Sequence, residues 1–185
     1  MDHSRMLDRA DSALVVIDVQ EGYRDRTVEH ARMVRGVRAL IAAATEFAVP
    51  ILTTEQYPKG IGRTQSEVTE LLPVGTPVIE KMSMSCCGQP EFLAALGELG
   101  RAQVVVCGIE AHACVNQTVH DLLAHGYRVH VPRDAISARA EPDLRVGWQK
   151  MIGSGAVPAT VEMVCLEWVR TAESPHFKAI HRLIK

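Results

Sequence analysis

Several things are missing from this sequence, and each absence excludes a class. There is no basic surplus: 20 Lys and Arg face 22 Asp and Glu, a formal net charge of −2. A general nucleic-acid binder needs such a surplus to meet phosphate, so no nucleic-acid partner is expected. No apolar run reaches the roughly 18 residues of a membrane-spanning helix, so no membrane partner is expected. The first residues, MDHSRMLDRADS, are polar and mixed in charge, without the apolar centre of a secretory signal. There is no repeat, low-complexity tract or long linker. The five cysteines (Cys86, Cys87, Cys107, Cys114 and Cys165) are odd in number and match neither a disulfide framework nor a zinc site. Reduced thiols in a cytoplasmic protein are the simplest reading. What remains is ordinary globular composition, 47% apolar and 23% charged over 185 residues, which rules out a disordered chain. The length suits one domain spanning residues 1–185.

Short β-rich runs alternate with helical patterns. Residues 13–19 (ALVVIDV) form a near-continuous apolar run, as a parallel strand buried on both faces requires. A helical pattern over residues 27–47 follows, with Val34, Val37, Leu40, Ile41 and Ala44 on one face. Further strands are expected at 50–54, 77–81, 102–108, 128–132 and 158–163. Helices are expected at 66–72, 90–99, 114–125, 142–152 and 175–184, with a Pro- and Gly-marked loop at 57–62. This alternation predicts an α/β fold: a doubly wound, mainly parallel six-stranded sheet with helices on both faces, Rossmann-like in plan. Ligands of such sheets bind beyond the carboxyl ends of the strands, where strand order reverses.

Three of those ends carry reactive groups. Asp18 closes the first strand, Lys81 the third, and Cys114 follows the fourth at the start of a helix. If the first and fourth strands are neighbours, Asp18 and Cys114 emerge side by side, and a lysine side chain reaches inward from the third. A helix N-terminus and a nearby ammonium both favour the thiolate, the nucleophilic form of cysteine. A carboxylate beside the thiol can take its proton and return it to a leaving group. Backbone N–H groups in the turn before Cys114 can stabilise an oxyanion. Each residue also has a bland reading: Asp18 as a structural carboxylate, Lys81 as a solvated strand end, Cys114 as a small buried hydrophobe.

These residues bring a resemblance into view. Val-Ile-Asp18-Val-Gln20, Glu80-Lys81-Met-Ser-Met-Ser85 and Cys107-Gly-Ile109-Glu110-Ala-His112-Ala-Cys114-Val resemble, in order, the motifs of the isochorismatase-like cysteine hydrolases. Asp134-Ala-Ile-Ser137 and residues 154–162 resemble later framework segments. Glu55-Gln-Tyr-Pro-Lys-Gly60 and the ending from His176 are most similar to the isochorismatase domain-containing subgroup. The resemblance implies Cys114 as nucleophile, Asp18 as general base and then acid, and Lys81 as electrostatic partner. It also implies a cis peptide between Ile109 and Glu110, with the Glu110 and Cys114 N–H groups forming an oxyanion hole. A homo-oligomer is implied as well.

The resemblance points to hydrolysis of a small amide-like substrate through a thioester. Its rivals are ether hydrolysis of the isochorismatase type and a non-catalytic oligomeric interaction module that keeps the fold. Nicotinamidases of this family bind a metal through an Asp-x-His pair after the second strand. Here that stretch reads Thr54-Glu55-Gln56-Tyr57-Pro58, and no histidine lies between His30 and His112. No metal and no cofactor are therefore expected. Gln20, Tyr57, Met84 and His112 are candidate substrate contacts, Gln20 equally a framework residue. Cys86 and Cys87 lack C-x-x-C spacing and make a poor redox pair, and Cys107 and Cys165 fit core positions.

Overall fold

The computed structural model describes residues 5–185. Its elements run in chain order as β1 (Ser12–Ile17), α1 (His30–Glu46), β2 (Ile51–Gln56), α2 (Pro58–Ile61), α3 (Ser66–Thr69), β3 (Val78–Lys81), α4 (Pro90–Glu98) and β4 (Gln103–Ile109). They continue as α5 (Cys114–Ala124), β5 (Arg128–Pro132), β6 (Ile136–Ser137), α6 (Glu141–Gly153), β7 (Val157–Ala159), α7 (Val161–Val169) and α8 (Phe177–Leu183). Short 3-10 turns lie at Glu21–Tyr23, Cys86–Gly88 and Arg133–Ala135.

The sheet order is β3-β2-β1-β4-β5-β7, all pairs parallel, with β6 hydrogen-bonded to β4 beyond the end of β5. From β1 the chain winds outward to β3, then returns to β4 and winds outward the other way. The β1–β4 junction is therefore the switch point, with Ile17 opposite Gly108. Two apolar layers follow from the strand alternation. Leu14 and Val16 face α1, α7 and α8, while Ala13, Val15 and Ile17 face α4, α5 and α6. The anticipated face of α1 (Val34, Val37, Leu40, Ile41 and Ala44) is buried, as are Cys107 and Cys165.

Three expectations need correction. The sheet has seven strands rather than six, because Ile136–Ser137 adds a two-residue parallel strand beside the end of β4. The expected strand at 158–163 ends at Ala159. There the Thr160 hydroxyl accepts from the Met163 N–H and caps a helix, so Val161–Val169 is helical and Glu162 lies in its first turn. The loop at 57–62 contains one helical turn, Pro58–Ile61, opened by Pro at a position where no N–H is needed.

Candidate active site

The site begins where β1 stops. Asp18 has φ of 52°, a left-handed conformation that Asp tolerates better than most residues. That turn directs its carboxylate across the switch point instead of along the sheet. Opposite it, Gly108 has φ of 115°, and a Cβ there would come within 2.0 Å of the Ile17 carbonyl oxygen. Glycine at this position lets β4 approach β1 closely enough to bring the β4–α5 turn beside Asp18.

Asp18 and Lys81 form an ion pair of 2.8 Å between side chains that are 1% and 0% exposed. The Thr54 hydroxyl donates to the other Asp18 oxygen at 2.7 Å. The Lys81 ammonium also donates to Gln56 Oε1 (2.7 Å), the Met84 carbonyl (3.0 Å) and the Ser83 carbonyl (3.2 Å). Burial alone would depress its pKa. The Asp18 carboxylate, with the Cys86 and Cys114 sulfurs, outweighs burial and holds the ammonium above its ordinary value.

Cys114 opens α5 and is 4% exposed. Its Sγ lies 3.9 Å from Gln56 Oε1 and 4.0 Å from Met84 Sδ. The thiol departs from the sequence expectation. Burial pushes it up to about 12, the Asp18 carboxylate adds to the rise, and Lys81 opposes it only in part. Burial is the main cause, which favours the neutral thiol, and the lysine charge, already paired with Asp18, offsets it only in part. The Ile109–Glu110 peptide is cis. Among the described residues, neither the Glu110 nor the Cys114 N–H donates a hydrogen bond. Both amides lie where β4 passes into α5.

The structure brings Asp18, Lys81, Cys114 and Met84 together. Tyr57, 47% exposed, stands at the rim of a cavity of about 400 Å³ that also involves Lys59, Lys81, Met82, Ser83 and Gln89. Gln20 does not point into that space. Its carboxamide donates to the Gln56 and Gly62 carbonyls and accepts from the Gln56 N–H. It is a buried strut between the end of β2 and the loop beyond α2. His112 is half-buried in the β4–α5 turn, with Nδ1 enclosed and without a partner among the described residues. The Glu110 carboxylate is buried, and Arg139 pairs with it at 2.8 Å.

Three contributors were missed. Gln56 falls beyond the strand expected at 50–54, yet β2 runs on to it and its side chain touches both the lysine and the thiol. Cys86, read as half of an unpromising vicinal pair, points toward Thr54 at 3.7 Å, beside the Asp18–Lys81 pair. Tyr23 is half-buried, and its hydroxyl is pushed up to about 12, chiefly by burial and then by Glu110, with Cys114 and Asp18 adding to the rise. No sequence motif marks Tyr23; only the return of the Glu21–Tyr23 turn over the site brings it near.

The isochorismatase-domain family description matches residues 12–163. The chain belongs to the isochorismatase family. Isochorismatase domain-containing protein 2A of Mus musculus is 39% identical over 178 residues, covering 94% of this chain and 82% of that protein. The solved structure of the MAR1 ribonuclease from Caenorhabditis elegans superposes with a TM-score of 0.92 and 36% identity, covering 97% of this chain and 92% of that one. The YcaC gene product of Escherichia coli, described as an octameric hydrolase of unknown specificity, shares the fold at a TM-score of 0.87 and 23% identity, covering 97% and 94% of the two chains. The fold is thus that of the isochorismatase-like hydrolases. Among the described residues, no helix is long and apolar enough to cross a membrane.

Proposed function

We propose that the protein is a cysteine hydrolase that cleaves a small amide-like substrate through a thioester on Cys114. The observation that carries this reading is the buried Asp18–Lys81 pair of 2.8 Å facing a buried thiol at the start of α5. The resting thiol is neutral, so the proton moves during attack. Cys114 Sγ bonds to the carbonyl carbon as its proton passes to Asp18. The oxygen becomes an oxyanion at the Glu110 and Cys114 N–H groups. The C–N bond then breaks, and Asp18 returns the proton to the leaving nitrogen. Water, deprotonated by Asp18, adds to the thioester; the C–S bond breaks and the thiol regains its proton. Lys81 stays protonated throughout and holds Asp18 in place.

Charge around the cavity favours a neutral or weakly charged substrate over a dianion. Of the two lysines that line the cavity, Lys81 is paired with Asp18, which leaves Lys59, while the lining Glu80 is paired with Arg63. This weighs against the isochorismate-type ether. By analogy with the octameric YcaC, a homo-oligomer is part of the reading, and its mass in solution tests that part.

The deciding experiment incubates wild type and Cys114→Ala with small primary amides, an isochorismate-type ether and RNA. RNA belongs there because the Caenorhabditis elegans relative is called a ribonuclease. Amide hydrolysis lost in the variant, with an acyl mass on the Cys114 peptide of wild type, supports the proposal. Amide hydrolysis retained by the variant overturns it. Turnover of RNA or of the ether alone replaces the substrate class, and turnover of nothing favours the interaction module.

A further inference from the structure

Gln56 ends β2 with both faces of its carboxamide committed. Its Nε2 donates to the Met82 carbonyl at 2.9 Å, and its Oε1 accepts from Lys81 Nζ at 2.7 Å. An ammonium has only donors and a carbonyl only acceptors, so the amide has one chemically sensible orientation. The backbone is equally fixed. Gln20 donates to the Gln56 carbonyl at 3.0 Å and accepts from its N–H at 2.8 Å. The same Oε1 lies 3.9 Å from Cys114 Sγ. One acceptor therefore serves both the lysine and the thiol.

We propose that Gln56 is a positioning residue that fixes Lys81 on Asp18 and accepts the Cys114 S–H, keeping the nucleophile a neutral thiol until a substrate displaces it. This rests on the reading of Cys114 as nucleophile. The proton count supports it. Lys81 Nζ carries three hydrogens, and Gln56 Oε1 and the Met84 and Ser83 carbonyls accept them, with Asp18 Oδ2 held at 2.8 Å as an ion pair. Lys81 therefore offsets the rise of the thiol only in part. The carbonyl dipole of Gln56 further presents its negative end to the sulfur, which favours S–H over S⁻. The other ionisable groups acting around this cluster are Asp18 after β1, Cys86 in its 3-10 turn, Tyr23 in the Glu21–Tyr23 turn, and Glu110, which is paired with Arg139.

Removing the acceptor without changing length frees one Lys81 hydrogen, and the sulfur is the neighbour that shared the lost partner. The test is alkylation of Cys114 by iodoacetamide at pH about 8, followed by peptide mass spectrometry on the full chain. Gln56→Met is expected to react about tenfold faster than wild type, one pKa unit's worth of extra thiolate. Gln56→Glu is expected to react about tenfold slower, because its added charge faces the sulfur. The Gln56→Met gain should vanish when Lys81→Met is added, whereas a gain from a looser site would persist. Hydrolysis should fall in all three variants.

An unchanged or slower rate in folded Gln56→Met overturns the inference, as does a gain that survives Lys81→Met. Should Gln56→Met lose its circular dichroism signature, Gln56→Glu decides, and a rate equal to or above wild type overturns the proposal. The readout needs no substrate. Hydrolysis surviving in Cys114→Ala would remove the nucleophile reading while leaving the alkylation result standing as a statement about the thiol.

Discussion

The Lys81 ammonium sits 2.8 Å from Asp18 Oδ2, and neither side chain is more than 1% exposed. A buried pair of this kind contributes little net stability, since desolvation of two charges offsets their attraction. Breaking it is another matter. Asp18→Asn or Lys81→Met leaves one uncompensated charge in the interior and is expected to cost about 3–5 kcal/mol. The double variant should recover much of that loss, because no charge remains unpaired. Urea unfolding of wild type, the two single variants and the double variant measures this. Single variants within about 1 kcal/mol of wild type would mean that water reaches the pair.

Asp18 plays two roles that pull the thiol in opposite directions. In the resting protein its charge helps raise the Cys114 pKa. During attack the proposed mechanism needs it as the base. Asp18→Asn should therefore alkylate faster at Cys114 near neutral pH, with Lys81 now unopposed, while losing amide hydrolysis by about a hundredfold or more. Lys81→Met should alkylate more slowly and also lose hydrolysis. If Asp18→Asn slowed both measurements, the thiolate would depend on Asp18 for its position and not for its charge.

Much of this site is legible in the sequence. Asp18, Lys81 and Cys114 stand at strand ends, and the apolar runs before them set where those ends fall. Parallel winding then leaves one switch point to collect them. Gln56 was not legible, because a glutamine two residues past an expected strand end looks the same whether it faces water or a lysine. Its identity as an acceptor depends on β3 lying outside β2, which no local pattern declares. The end of β7 was misread for a local reason. Val157-Pro-Ala-Thr-Val-Glu-Met163 is rich in β-formers, and the capping hydroxyl of Thr160 overrides that preference. The pairing of Glu110 was not legible either, because its partner, Arg139, is 29 residues away in the chain.

Two glycines separate backbone necessity from mere occupancy. Gly108→Ala would place a Cβ within 2.0 Å of the Ile17 carbonyl at a φ that alanine avoids, and backbone cannot yield as a side chain tip does. A loss of about 3 kcal/mol or more is expected, with hydrolysis impaired because β1 and β4 must part at the site. Gly97 lies in α4 with open space around its Cβ position and no positive φ. Gly97→Ala should stabilise by up to about 1 kcal/mol. Chemical denaturation of both variants tests the contrast, and a mild Gly108→Ala would show that the two strands can separate cheaply.

His130 gives the fold an acid-sensitive element distant in sequence from every candidate catalytic residue. It lies in β5, 1% exposed, with Nε2 unpartnered among the described residues. Burial, assisted by the Arg128 charge, depresses its pKa to about 4. In the unfolded chain the same imidazole takes its proton near pH 6.5. Between these values the unfolded state binds the proton and the folded state does not. The contribution of neutral His130 to stability is thus complete above about pH 6.5 and is lost as pH falls, the loss reaching about 3 kcal/mol by pH 4. Carboxylates add their own acid dependence, so the comparison is with His130→Leu, which has nothing to protonate. Unfolding free energies at pH about 7.5 and 4.5 should show wild type losing about 2–3 kcal/mol more than the variant over that interval. Equal losses would mean that His130 is protonated in the folded state with a partner or water that relieves its burial.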